Sequence, residues 1–132
     1  MNADPTSDDR RKLADTRKAL LALHRVLIGS ERAVYERSAG TIPSAGAFLQ
    51  LLTNDPWFAW LRPLSTLIVE IDEAFASKEP VTDETFRALM DASRQLIAPN
   101  EQADGFGRYY AEAMQRDPEV VIAHGDVMRT LA

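Results

Sequence analysis

The sequence contains no cysteine, which excludes disulfide bonds, thiolate nucleophiles and cysteine-ligated metal centres. It also lacks any run of about 18 apolar residues of the kind that spans a bilayer. Residues 1–9 have neither the basic start nor the apolar core of a signal peptide. We therefore expect a cytoplasmic protein that makes no membrane contact.

Basic side chains are scarce and unevenly distributed. The chain has 15 Lys and Arg against 20 Asp and Glu, a formal net charge of -5. Residues 1–37 hold eight basic and six acidic side chains, whereas residues 38–132 hold seven basic and fourteen acidic ones. Recognition of nucleic acid needs a concentrated basic face. We therefore expect no nucleic-acid partner, and the asymmetry fits a solvated surface.

Sustained alternation of apolar and polar residues is also missing, so the sequence gives no strand signal. Apolar residues recur instead at three-and-four spacing, which indicates amphipathic helices. With 132 residues and 45% hydrophobic composition, one domain over residues 1–132 is expected, with residues 1–6 disordered. The predicted fold class is all-α, an antiparallel bundle of five or six helices.

Capping residues and prolines predict where the helices begin and end. Ser7 suits the N-cap of a long first helix that stops at Ala39-Gly40. Later N-caps are predicted at Ser44, Asp55, Thr82 and Asp117, the second and fourth of which precede a proline. Pro63 falls inside the central helix that runs toward Ala76, so we expect a kink or break near Leu61 and Arg62.

Polar residues lie on the apolar face of the first helix at sevenfold spacing. Arg17, His24 and Glu31 form this row, and the only other histidine, His124, sits on the apolar face of the last helix. One hypothesis is a ligand site between helices, with His24, Glu31 and His124 as candidate metal ligands and Asp72 and Tyr109 in support. The paired Glu-x-x-His elements of ferritin-type di-iron bundles are absent.

A structural role for the same polar residues is the favoured alternative. His24, Glu31 and His124 would then hydrogen-bond to each other, to Arg17 or to tyrosines and fix the helix register.

Ser65 and Ser93 lie near apolar faces without a strand-to-helix elbow, so packed serines are favoured over nucleophiles. No phosphate loop and no His-Glu-x-x-His element occurs. We expect no cofactor and do not favour an enzyme.

Both tryptophans of the chain lie within four residues of each other, next to the predicted kink. On an α-helical projection Trp57 and Trp60 share a side with the apolar residues that follow, whereas Phe58 points away from them. Aromatic residues beside an arginine are typical of binding hot spots. We therefore predict an interaction surface of Trp57, Phe58, Trp60 and Arg62 that contacts a second copy or another protein. Core packing is the favoured alternative for the tryptophans and an equal alternative for Phe58.

The block PWFAWLRPLS, residues 56–65, together with residues 67–73, resembles a block in small all-helical bacterial proteins to which no function is attached. The resemblance implies a bacterial source and supplies no catalytic residues. Two functions are thus proposed from the sequence. The first is an interaction or self-associating module, and the second is a metal- or small-ligand-binding bundle with a His/Glu site in its core.

Overall fold

The structure is a computed structural model that describes residues 7–132, and the predicted disorder of residues 1–6 lies outside the described residues. The described chain is all-helical, at 81% helix, which confirms the predicted all-α bundle with a long first helix. It contains one 3-10 helix over Pro56–Leu61 and six α-helices: α1 (Asp8–Ala39), α2 (Ala45–Asn54), α3 (Arg62–Ala76), α4 (Asp83–Leu96), α5 (Phe106–Arg116) and α6 (Pro118–Leu131).

Helix α1 is 32 residues long and has the ends that the sequence predicts. The Ser7 hydroxyl accepts a hydrogen bond from the backbone N–H of Arg10 at 3.1 Å, which caps the first turn. At the other end Gly40 adopts φ +89° and donates its N–H to the Glu36 carbonyl at 3.0 Å. Its buried stripe consists of Leu13, Thr16, Leu20, Leu23, Leu27, Ser30 and Glu31.

Helices α3 and α6 run antiparallel to α1. The Thr16 hydroxyl of α1 lies 2.9 Å from the Thr130 hydroxyl at the end of α6. On the other side of α1, Arg17 pairs with Asp72 late in α3, while Tyr35 meets Trp57 ahead of α3. Helix α1 is therefore the central element around which the other helices bury their apolar faces.

A 3-10 helix precedes α3 and accounts for the predicted break. The Asp55 carboxylate accepts a hydrogen bond from the Trp57 N–H at 2.8 Å and starts the 3-10 helix at Pro56. Regular α geometry begins at Arg62, which places Pro63 in the first turn of α3, where its missing N–H has no helical partner to lose. The break near Leu61 and Arg62 is confirmed, and it takes the form of a change of helix type.

The predicted orientation of Phe58 away from Leu64 is wrong, and of the two alternatives for Phe58 the structure shows core packing. Its side chain is 2% exposed and packs with Leu61 and Leu64 in the main core cluster, whereas Trp57 is 39% exposed. The prediction used 3.6 residues per turn, but a 3-10 helix has about three. Residues three apart therefore share a face, so Phe58 lies on the side of Leu61 and Leu64.

Helix α2 is the most peripheral element. None of its residues is fully buried, and it packs on the core through the half-buried Phe48, Leu51 and Leu52. No helix between residues 7 and 132 combines the length and the apolar character that crossing a membrane requires.

Candidate functional site

The residues that the sequence singles out are distributed over two cavities on either side of the 3-10 helix and two separate side-chain pairs. The larger cavity, which we call the aromatic cleft, measures about 540 Å³. It is formed by α1, the 3-10 helix and α5. Its lining consists of Glu31, Val34, Pro56, Trp57, Ala59, Trp60, Tyr109, Glu112 and Arg116.

The aromatic cleft brings together four predicted residues from both hypotheses: Glu31, Trp57, Trp60 and Tyr109. The ring of Trp60 stacks on that of Tyr109, with centroids 5.7 Å apart. Trp57 meets Tyr35 edge-on at 5.5 Å. Of the two tryptophans, three tyrosines and five phenylalanines of the chain, only Trp57 (39%) and Tyr109 (45%) are exposed. Both exposed aromatic rings thus line the same cleft.

A partly buried ion pair lies at the base of the aromatic cleft. The Glu31 carboxylate accepts a hydrogen bond from the Arg116 guanidinium at 3.1 Å, and the Ser30 hydroxyl lies 3.2 Å from the same guanidinium. Glu31 as a residue is only 8% exposed. Because Arg116 neutralises its charge, Glu31 is a structural partner here and is not a free ligand for a metal ion.

Trp60 carries an unsatisfied donor in this cleft. Its indole N–H is buried and donates to no acceptor within residues 7–132. A buried donor without an acceptor costs about 1–3 kcal/mol relative to a satisfied one. Trp60 lines the cleft, so a bound partner could satisfy this donor only if the surrounding side chains part.

The second cavity, which we call the His24 cavity, measures about 260 Å³ and lies between α1, α2, the 3-10 helix and the start of α3. It is lined by His24, Ile28, Leu52, Thr53, Phe58, Leu61, Arg62 and Ser65. Two predicted interaction residues, Phe58 and Arg62, therefore belong to a different cavity from the two tryptophans. Phe58 forms part of its buried wall.

His24 and Ser65 form a hydrogen-bonded pair in the His24 cavity, with Nε2 and Oγ 2.8 Å apart. Burial lowers the pKa of His24 below its ordinary value of 6.5, so the imidazole is neutral at pH 7. An imidazole beside a hydroxyl is the first half of a nucleophilic site, but catalysis of that kind also needs a group that orients the base. Among the described residues none hydrogen-bonds to Nδ1 of His24.

The two candidate serines differ in their surroundings. Ser93 is fully buried and donates to the Leu89 carbonyl at 2.8 Å, as expected for a packed helical serine. Ser65 is only half-buried, and its hydroxyl pairs with a side chain on another helix. Its pairing with His24 is a feature that the sequence-based interpretation missed.

His124 and Asp72 lie outside both cavities that flank the 3-10 helix. The Nδ1 atom of His124 lies 2.7 Å from the Tyr110 hydroxyl, and burial lowers the pKa of His124 and raises that of Tyr110. Asp72 forms an ion pair with Arg17. Within residues 7–132 no three His, Asp or Glu side chains are grouped closely enough to hold a metal ion. His24, Glu31 and His124 thus each meet a different partner, and the structure does not bring the three together.

Comparison with known proteins gives no relative for this chain. No protein-family model matches the chain, and neither the curated proteins nor the solved structures contain a match.

Proposed function

We propose that this protein is an interaction module that binds a proline-rich polypeptide segment through the aromatic cleft. The observation that carries this proposal is that the two exposed aromatic rings of the chain, Trp57 and Tyr109, line one cleft. We also propose a cytoplasmic location, which rests on the sequence alone.

The shape and lining of the aromatic cleft support a polypeptide ligand. Its volume of about 540 Å³ falls within the range of ligand-binding clefts, roughly 300–1,000 Å³. Proline-rich segments dock into grooves lined by aromatic rings, and they lose little conformational entropy because their extended helix is already formed. Trp57 and Tyr109 offer ring surface of this kind without unfolding any element.

The charge of the cleft favours a basic residue in the partner. Arg116 is already paired with Glu31, whereas Glu112 is about half exposed at the rim. The nearest cation to Glu112 is Arg108 at 3.6 Å, in an exposed pair that water and salt screen. With a net charge of -5 on the whole chain, a lysine or arginine of the partner would be attracted to this rim.

The unsatisfied donor of Trp60 adds a specific polar contact to the proposal. In an extended ligand without internal hydrogen bonds, every backbone carbonyl is free to accept. We infer that a partner carbonyl accepts from the Trp60 indole N–H once the neighbouring rings part. Binding would then remove an unfavourable feature of the free protein.

The test is a titration of the protein into a fluorescein-labelled peptide of the type Arg-Pro-Pro-x-Pro-Pro, followed by fluorescence anisotropy. Trp57→Ala and Tyr109→Ala should each raise the Kd about tenfold or more, as truncated hot-spot aromatics do. Leu49→Ala is the matched control, because Leu49 is also an exposed hydrophobic residue but lies on α2 outside the cleft. A peptide with alanine in place of proline should bind much more weakly.

Several results would contradict the proposal. Equal binding of the proline and alanine peptides would exclude recognition of the proline-rich helix. Unchanged binding by Trp57→Ala and Tyr109→Ala would exclude the cleft as the site. A dimer in light scattering that Trp57→Ala dissociates would instead assign the cleft to a second copy of the chain, the self-associating module that the sequence also suggested.

A further inference from the structure

We propose that the His24 cavity is a binding site for a small monocarboxylate, with the carboxylate at Arg62 and the apolar body inside the cavity. The site lies on the other side of the 3-10 helix from the aromatic cleft and shares no lining residue with it. The inference is therefore independent of the proposed interaction function.

The interior of the His24 cavity is apolar and small. Ile28, Leu52, Phe58 and Leu61 supply its hydrocarbon walls, and Phe58 and Leu61 belong to the buried core cluster. Its volume of about 260 Å³ lies just below the range of drug-sized ligands, roughly 300–1,000 Å³. The cavity therefore suits a short alkyl chain or a single ring.

Arg62 supplies the charge that selects a carboxylate. Its guanidinium makes one long hydrogen bond, 3.5 Å to the Thr53 carbonyl, and no ion pair within residues 7–132. In the same part of the chain eight other arginines are paired with carboxylates: Arg11, Arg17, Arg32, Arg87, Arg94, Arg108, Arg116 and Arg129. A guanidinium binds a carboxylate in a two-pronged geometry that an ammonium cannot reproduce.

Ser65 and His24 supply a second, uncharged donor beside Arg62. When Nε2 of His24 carries the proton, it donates to Ser65 Oγ at 2.8 Å, and the Ser65 O–H is free to donate to a ligand oxygen. Because burial keeps the imidazole neutral at pH 7, Arg62 is the one charged side chain that lines the cavity in the described chain. Removal of this charge should therefore have a clear effect on binding.

The experiment follows the two histidine side chains by NMR during a titration with hexanoate. The chain has only two histidines, so the imidazole signals report separately on the cavity and on a histidine that does not line it. Hexanoate should shift the His24 signal along a saturable curve and leave the His124 signal in place. Hexanamide, of the same shape but uncharged, should bind about tenfold more weakly, as expected for loss of a charge-assisted hydrogen bond.

Two variants locate the contacts. Arg62→Gln should weaken hexanoate binding about tenfold and leave hexanamide binding nearly unchanged, because only the charge is removed. Arg25→Gln is the matched control, since Arg25 is exposed on α1 and does not line the cavity. Leu52→Phe, which adds volume to the wall, should abolish binding of both compounds while circular dichroism confirms the helical fold.

Three outcomes would overturn the proposal. One is a His24 signal that hexanoate does not move at tens of millimolar concentration. Another is equal affinity for hexanoate and hexanamide, which would leave no role for Arg62. The third is an affinity that Arg62→Gln and Arg25→Gln reduce alike, which would indicate general attraction of an anion to a basic surface.

Discussion

At the scale of single residues, each of the three polar residues in the row on α1 pairs with a different residue of another helix. Arg17 meets Asp72, His24 meets Ser65, and Glu31 meets Arg116. Seven residues of helix span about 10 Å at 1.5 Å per residue, and each residue of the row meets a different partner. The spacing predicts that these residues share a face, but it contains no information about which residue of another helix each one meets.

Glu31 lies at the buried end of this row and Arg17 at the more exposed end. Loss of the ion pair at the buried end should therefore lower the stability more. Arg116→Gln should lower the free energy of unfolding by about 2 kcal/mol, because it leaves the buried Glu31 carboxylate without a counter-charge. Arg17→Gln should cost less than about 1 kcal/mol, because the pair with Asp72 is more exposed. Urea unfolding measures both values.

A double variant controls this interpretation. Glu31→Gln combined with Arg116→Gln removes the stranded charge, so the stability should recover part of the loss. If Arg116→Gln and Arg17→Gln destabilise the protein equally, burial does not set the strength of these pairs.

Phe58 and Trp57 are neighbours in sequence with opposite roles, which substitution should separate. Phe58→Ala should lower the free energy of unfolding by about 3–5 kcal/mol, because it opens a void beside Leu61 and Leu64 in the core. Trp57→Ala should cost about 1 kcal/mol, the typical value for a partly exposed side chain. Equal losses in urea unfolding would show that the 3-10 helix does not hold the two rings on different faces.

At the scale of elements, five helix starts could be predicted from the sequence because a side-chain cap sets each of them. Ser7, Ser44, Asp55, Thr82 and Asp117 all act as N-caps with their side chains accepting backbone N–H groups. The 3-10 geometry of residues 56–61 could not be predicted in this way, and the face of Phe58 was wrong for that reason.

The register between helices is a second feature that the sequence signals only indirectly. When Arg17 of α1 is aligned with Asp72 of α3, the residue two turns later on α1 is His24. Because α3 runs antiparallel to α1, the residue that faces His24 lies two turns before Asp72 and is Ser65. The complementary pair of Arg17 and Asp72 was a signal of this register, but it becomes useful only when the two helices are known to be neighbours. Arg116, the partner of Glu31, was not among the residues that the sequence singled out.

Capping residues on central and peripheral helices should differ in their effect on stability. Asp117→Ala removes the N-cap of α6, which packs along α1, so it should lower the global free energy of unfolding by about 1 kcal/mol. Ser44→Ala removes the N-cap of α2, which has no fully buried residue, so it should mainly speed amide exchange within α2. Equal global losses in urea unfolding would mean that α2 unfolds together with the core.

At the scale of the whole molecule, α1 joins the parts of the fold. It packs against α3, α4, α5, α6 and the 3-10 helix. Its polar residues contribute to both cavities, with Glu31 in the aromatic cleft and His24 in the His24 cavity. Both cavities therefore depend on the position of a single helix, and the stability of the bundle sets the geometry of both.

Stability should depend on pH near neutrality because both histidines have a lowered pKa in the folded chain. The unfolded chain takes up protons near pH 6.5, whereas the folded chain takes them up only at lower pH. The unfolded state thus binds more protons below about pH 6.5, and the free energy of unfolding should fall as the pH decreases through that value and then level off below the folded pKa values.

Urea unfolding between pH 8 and pH 5.5 measures this dependence. The double variant His24→Gln with His124→Gln should show a flatter profile, because glutamine keeps hydrogen-bonding capacity but does not titrate in this range. An unchanged slope in the double variant would assign the dependence to carboxylates.

The three-residue period of the 3-10 helix has a consequence for how this protein can change during evolution. Each residue between Pro56 and Leu61 advances the chain by about 120°, so inserting or deleting one residue would turn every later side chain of the segment onto another face. The core position that Phe58 now occupies would then be filled by a residue that now faces the aromatic cleft or solvent. Selection should therefore tolerate exchanges of residue type in this segment far better than any change in its length.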